Sequence, residues 1–204
     1  LKNQLIFDYA SGTLGPSKSI FASTYLYLNS KASKLNKTFE SILGDNLLEN
    51  TNVPVTNLKY SDCISDRSEK LNNSVRDNSP ISKITGPLNN IRWKQVYNGF
   101  SEFKPNINDE NEIKLIKMGP GVKAPLHSHG GNEYILVLSG SFNDEFGEYS
   151  VGDLQINDQK IKHTPVASEK DGCVCLTVTE KDVIFFGRYA SFLNLFTFIK
   201  SFFK

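Results

Sequence analysis

The chain contains three histidines, and two of them stand close together in the run Gly121-Val122-Lys123-Ala124-Pro125-Leu126-His127-Ser128-His129-Gly130-Gly131-Asn132-Glu133. Residues i and i+2 of a β-strand point to the same face, so His127 and His129 project together. Gly130-Gly131 reads as a short turn that returns Glu133 on the neighbouring strand. Imidazole nitrogens converging with a carboxylate oxygen are the ligand chemistry of a transition-metal ion. The third histidine, His163, follows only after Gly152, and a fold has to bring it in. The nearby carboxylates Asp144, Glu145 and Glu148 read as a solvated hairpin tip.

The elements that must position these residues change character along the chain. From Ile91 onward the pattern is β: Ile113–Met118 is a strand and Gly119-Pro120-Gly121 a turn. Tyr134–Leu138 is a continuous apolar strand buried on both sides, and Cys173–Thr179 is a further strand. Short strands punctuated by Gly140, Gly147 and Gly152 mean a sandwich or barrel over residues 89–188. Residues 1–58 instead carry apolar positions at helical spacing. Leu5, Ile6 and Tyr9 make a first helix that ends at Gly12. Pro16 or Ser17 opens a second, with Phe21, Tyr25 and Leu28 on one stripe. Leu35, Phe39, Ile42 and Leu43 make a third, with Gly44 as its C′ residue. So small a helical assembly is marginal alone, and should lean on the rest of the chain, a metal or a partner. Residues 59–88 read as a polar linker, with one short amphipathic helix through Leu58, Ile64 and Leu71.

Composition narrows the function classes. In 204 residues, 23 Lys and Arg oppose 22 Asp and Glu, a net charge of +1, so no global basic field exists to hold nucleic acid. No apolar run is long enough to span a bilayer, and the start shows no basic segment followed by an apolar one; the cysteine usage fits a reducing cytoplasm best. The three cysteines cannot form a closed even set. Cys173 and Cys175 share one face of a strand, a poor geometry for bridging each other, and read as small buried apolar groups before any redox or metal role. Residues 189–204 form an apolar C-terminal helix whose polar stripe is Ser191, Asn194, Thr197, Lys200-Ser201 and Lys204. Packing on the remainder of the chain is its first use, with a homodimer contact or attachment to a membrane surface as alternatives.

Gly121, His127, His129, Glu133 and Gly140 match every fixed position of the first cupin motif, G-x5-H-x-H-x3-E-x6-G. Gly152 and His163 keep two positions of the second, G-x5-P-x-G-x2-H-x3-N, while Asp158, Lys160 and Ala167 depart from it. The chain thus resembles the cupins. The resemblance implies a mainly β fold, a C-terminal double-stranded β-helix (jelly-roll) barrel behind a small α-helical N-terminal domain. It also implies one divalent metal held inside the barrel by His127, His129, Glu133 and His163. Zn2+ is the first choice, with Fe2+, Mn2+ or Ni2+ as alternatives.

A narrower resemblance covers nearly the whole chain. Phe7-Asp8-Tyr9-Ala10-Ser11-Gly12-Thr13-Leu14, Trp93, the run Gly130–Gly140, Asp144–Tyr149 and Gly172-Cys173 are similar to ChrR-type anti-sigma factors. In that family an N-terminal helical zinc domain grips an alternative (extracytoplasmic-function) sigma factor, and the cupin serves the response to oxidative stress. Aligned on Ala22-Ser23-Thr24, the family's first-domain zinc ligands fall on Tyr25, Asn29 and Ala32, which are not a zinc set. The helices should then be held by apolar packing through Phe21, Tyr25, Leu28, Leu35 and Phe39.

Three functions compete. The first is a metal-binding regulator of transcription that resembles these anti-sigma factors, with no catalytic residues and a sigma factor as partner. The second is a cupin metalloenzyme, a dioxygenase or isomerase that uses Fe2+ or Mn2+ in octahedral geometry on a small molecule. The third is a structural cupin without a metal.

Overall fold

The computed structural model describes residues 1–49 and 78–188, with Ala190, Ser191 and Asn194. Its N-terminal part is α1 (Lys2–Ala10), α2 (Pro16–Leu28) and α3 (Ser30–Glu49). The chain leaves α1 through Gly12 at φ 71°, a left-handed turn that glycine adopts without a Cβ penalty. Pro16 opens α2, where its missing N–H is no loss. α3 runs through Gly44 to Glu49, so Gly44 is not the end of the helix that the sequence suggests. A glycine inside a helix costs only about 0.5–1 kcal/mol relative to alanine, and packing of α3 on α1 and α2 outweighs that.

The described end of the expected linker is also structured. α4 (Pro80–Thr85) is capped by Ser79, whose Oγ accepts from the Ser82 N–H at 3.2 Å, and Ile81 is fully buried against α2. Its cap and its N1 proline are visible in the sequence, but six residues are too few to show a helical period. The amphipathic helix read through Leu58, Ile64 and Leu71 lies outside the described residues, as does most of the apolar tail.

Among the described residues ten strands follow: β1 (Lys94–Tyr97), β2 (Phe100–Phe103), β3 (Glu112–Met118), β4 (His127–His129), β5 (Glu133–Asp144), β6 (Gly147–Ser150), β7 (Leu154–Asn157), β8 (Val166–Ala167), β9 (Cys173–Thr179) and β10 (Val183–Phe185). One antiparallel sheet runs β1-β2-β3-β9-β5-β6, with β7 and β8 also on β5, and β10 pairs β4. β5 turns the corner of this barrel. Its first half lies between β9 and β7, and its second between β6 and β8. The turn uses a register shift between Val137 and Ser139 and then Gly140 at φ 68°, where a Cβ would stand 2.1 Å from the Gly172 carbonyl oxygen.

Strand periodicity divides the core in two. Leu115, Leu136, Leu138, Leu176 and Val178 pack with Phe21, Tyr25, Leu28 and Ile81 from the helices. Their alternates Met118, Ile135, Val137, Cys173 and Cys175 fill the barrel interior with Phe142. The apolar run of β5 is therefore buried on both faces because the helices cover its outer one. Leu35 and Phe39 pack against the same outer cluster. The helical part thus leans on the barrel.

Candidate metal centre

His127 and His129 both face inward from β4, and their ring centroids are 5.3 Å apart. β4 is not the hairpin partner of β5, contrary to the sequence reading: it pairs β10, through His129↔Val183 and His127↔Phe185. The Gly130-Gly131 turn instead carries the chain from one sheet to the other. Glu133, the first residue of β5, still reaches back, with Oε1 3.2 Å from His129 Nε2.

His163 arrives by backbone pairing. Its N–H donates to the His127 carbonyl at 3.0 Å and its carbonyl accepts from the His127 N–H at 3.1 Å. This places the two rings 4.5 Å apart and His163 Nε2 3.3 Å from Glu133 Oε2. One ligand atom each from His127, Glu133 and His163 lie within 4.8 Å of one another, all three side chains buried. His129 stands beside this trio through Glu133 rather than within it.

Supporting contacts aim the rings. The His127 Nδ1–H donates to the Pro125 carbonyl at 2.8 Å, and the His163 Nδ1–H donates to Asp144 Oδ2 at 2.9 Å. Both turn Nε2 towards the cluster, which is how second partners orient imidazole ligands. The Asn157 amide donates to Glu133 Oε2 at 3.1 Å, and the Gln155 amide to Asp144 Oδ2 at 2.8 Å. Asp144 is thus not part of a solvated tip: its carboxylate is fully buried. Two residues on from Phe142, it takes the same inward face of β5, and that period was the available signal. Asn157 and Gln155 carried no signal in the sequence.

The electrostatics follow from burial and neighbours. Burial pushes the His127 imidazole down to about 4, against the pull of Glu133, so it is neutral near pH 7. Burial also opposes a charge on Glu133, but the His129 and His163 rings beside it hold the carboxyl well below its ordinary value. For His163 the Glu133 and Asp144 carboxylates outweigh burial and raise it.

The residues fit a cation. Nδ1 of buried His129 has no hydrogen-bond partner, and its Nε2 meets only the Glu133 carboxylate, at 3.2 Å. An unpaired buried polar nitrogen is costly unless something accepts its lone pair. Three imidazoles and one carboxylate could together hold a divalent metal. A cavity of about 70 Å³ adjoins the cluster. Phe100, Ile116, Met118, Phe142 and Cys175 make it mostly apolar, and it has room for only a few waters.

Comparison with known proteins gives consistent results. Residues 82–181 match the family described as ChrR Cupin-like domain. The chain is 26% identical over 201 residues to the anti-sigma-E factor ChrR of Cereibacter sphaeroides, covering 95% of this chain and 92% of that protein. Among solved structures it is similar to a chain of the crystal structure of Rhodobacter sphaeroides SigE in complex with the anti-sigma ChrR. The TM-score is 0.73 at 28% identity, over 87% of this chain and 96% of that one.

Proposed function

We propose that this chain, whose residues 82–181 match the ChrR Cupin-like domain, is a metal-binding anti-sigma factor. On this reading the helical part holds an alternative sigma factor and the barrel holds one zinc ion through His127, His129, Glu133 and His163. The observation that carries it is that the likeness to ChrR extends through the helices and not the barrel alone, over 95% of the chain. The buried His127–Glu133–His163 cluster, with His129 Nε2 3.2 Å from the same carboxylate, supports the metal. Four protein ligands suit a closed structural zinc site.

In the helical part the positions that align with the family's first zinc site do other work. Asn29 Oδ1 accepts from the Ala32 N–H at 3.0 Å, and its amide reaches the Gly152 carbonyl at 3.4 Å. Tyr25 and Ala32 are buried in the shared core. On this reading the helices present themselves to a sigma factor on a scaffold supplied by the barrel. The decisive experiment is co-purification of the full chain from its host, with elemental analysis of the product. A sigma factor recovered with one zinc per chain supports the reading. Recovery of no sigma factor under either resting or oxidising conditions refutes it.

A further inference from the structure

The first turn of α2 is held by two carboxylates that belong to the barrel. The N-cap of α2 is Gly15, which has no side chain to offer. Asp109, between β2 and β3, takes that role: its Oδ2 accepts from the Ser17 N–H at 2.7 Å, while Ser17 Oγ donates to the Asn111 carbonyl at 3.1 Å. The second carboxylate is Glu180, one residue past β9, whose Oε1 lies 2.6 Å from Lys18 Nζ. A lysine in the first turn opposes the helix dipole. Glu180 offsets that, together with the Tyr134 ring 5.3 Å from the same ammonium.

Glu180 also holds the turn that carries two of the candidate ligands. Its Oε2 accepts from the Asn132 N–H at 3.0 Å, and its own N–H donates to the Asn132 carbonyl at 3.0 Å. Asn132 stands in the turn between His129 and Glu133, and Thr179 is the register partner of Glu133. The approach is so close that a Cβ on Gly131 would lie 3.0 Å from the Glu180 Cβ. One carboxylate therefore touches the helical part with one oxygen and the ligand-bearing turn with the other.

We propose that Glu180 is a positioning residue that couples metal occupancy of the barrel to the docking of α2. The inference rests on the metal reading above. On that reading His129 and Glu133 would hold the cation from the two ends of the turn, which would keep the Asn132 N–H aimed at Oε2 and Oε1 aimed at Lys18. With the cation removed the turn loses that constraint, and Lys18 exchanges an oriented partner for solvent. Asp109 still caps the helix, so α2 loosens without detaching.

The test is hydrogen–deuterium exchange of the α2 amides in the full chain, zinc-loaded and chelator-treated, for the natural sequence, Glu180→Gln and Lys18→Met. Zinc stoichiometry is measured on the same samples. In the natural sequence, zinc removal should speed α2 exchange about fivefold, the scale of one good partly buried ion pair. Both variants should bind one zinc yet exchange at the faster rate with or without it. Variants that keep the zinc-dependent change, or a zinc-loaded natural chain whose α2 ignores zinc removal, overturn the coupling alone. A natural chain that binds no zinc overturns the metal reading and this inference with it. If Glu180→Gln fails to fold, Lys18→Met breaks the same contact from a partly exposed side chain.

Discussion

Replacing Asp144 by Asn tests how the centre is held, because it changes one atom outside the ligand set. Asp144 Oδ2 accepts the His163 Nδ1–H at 2.9 Å from a fully buried position, and Gln155 holds that carboxylate at 2.8 Å. The charge on Asp144 makes His163 a more basic ligand, and the hydrogen bond fixes the ring plane. Asparagine keeps the shape and loses the charge. Removing such a partner lowers metal affinity about 10- to 100-fold, or about 1.4–2.7 kcal/mol at 1.36 kcal/mol per tenfold. Zinc at 100 times its dissociation constant stabilises the natural chain by about 2.7 kcal/mol. That is a rise of about 5–11 °C in the melting midpoint for a protein this size. At the same zinc concentration the variant retains only about 0.4–1.4 kcal/mol, a rise of about 1–6 °C. Competition against a chromophoric chelator measures the affinity, and thermal scans with and without zinc measure the linkage. An Asp144→Asn affinity within twofold of the natural value would refute the argument that Asp144 orients a ligand.

Phe21 is fully buried between α2 and the barrel and meets the Tyr134 ring edge-on at 5.9 Å. Phe21→Ala should cost about 3–5 kcal/mol in urea unfolding, and a loss under 1 kcal/mol would deny that the helices and barrel share one core. Gly140→Ala forces a Cβ against the Gly172 carbonyl at positive φ and should cost more than about 2 kcal/mol. Gly44→Ala, in α3 with open space around it, should gain about 0.5–1 kcal/mol, so denaturant midpoints should move in opposite directions. Burial works to raise Glu112, but Lys114 and Lys104 hold it down to about 2. A lowered folded value means that its stabilisation is present above its unfolded value near 4.5 and is lost as pH falls from there towards 2. With half-exposed Lys104 discounted for screening, Glu112→Gln should remove about 1–3 kcal/mol at pH 6 and much less at pH 3. Equal losses at both pH values would contradict the ion pairing.

The sequence alone determines the local facts. His127 and His129 share a face because alternate strand residues do. α1 ends at Gly12 and α2 begins at Pro16 because backbone dihedrals allow it, and the run at Tyr134 must be buried on both sides because it is apolar at every step. Local pattern could not say which strand lies beside which, and only the resemblance to cupins pointed His163 at the other ligands. Only the ladder that joins the His127 and His163 backbones brings the third imidazole to Glu133. Only the pairing of β4 with β10 makes Gly130-Gly131 a crossing between sheets and not a hairpin. Asp144 reads as a surface charge until the register of β5 places it on the face of Phe142. Asn157 and Gln155 gain roles only because β7 lies beside β5. A residue's type and its neighbours in the chain fix which groups it can bond, but hydrogen-bonded register between distant segments decides which groups it meets.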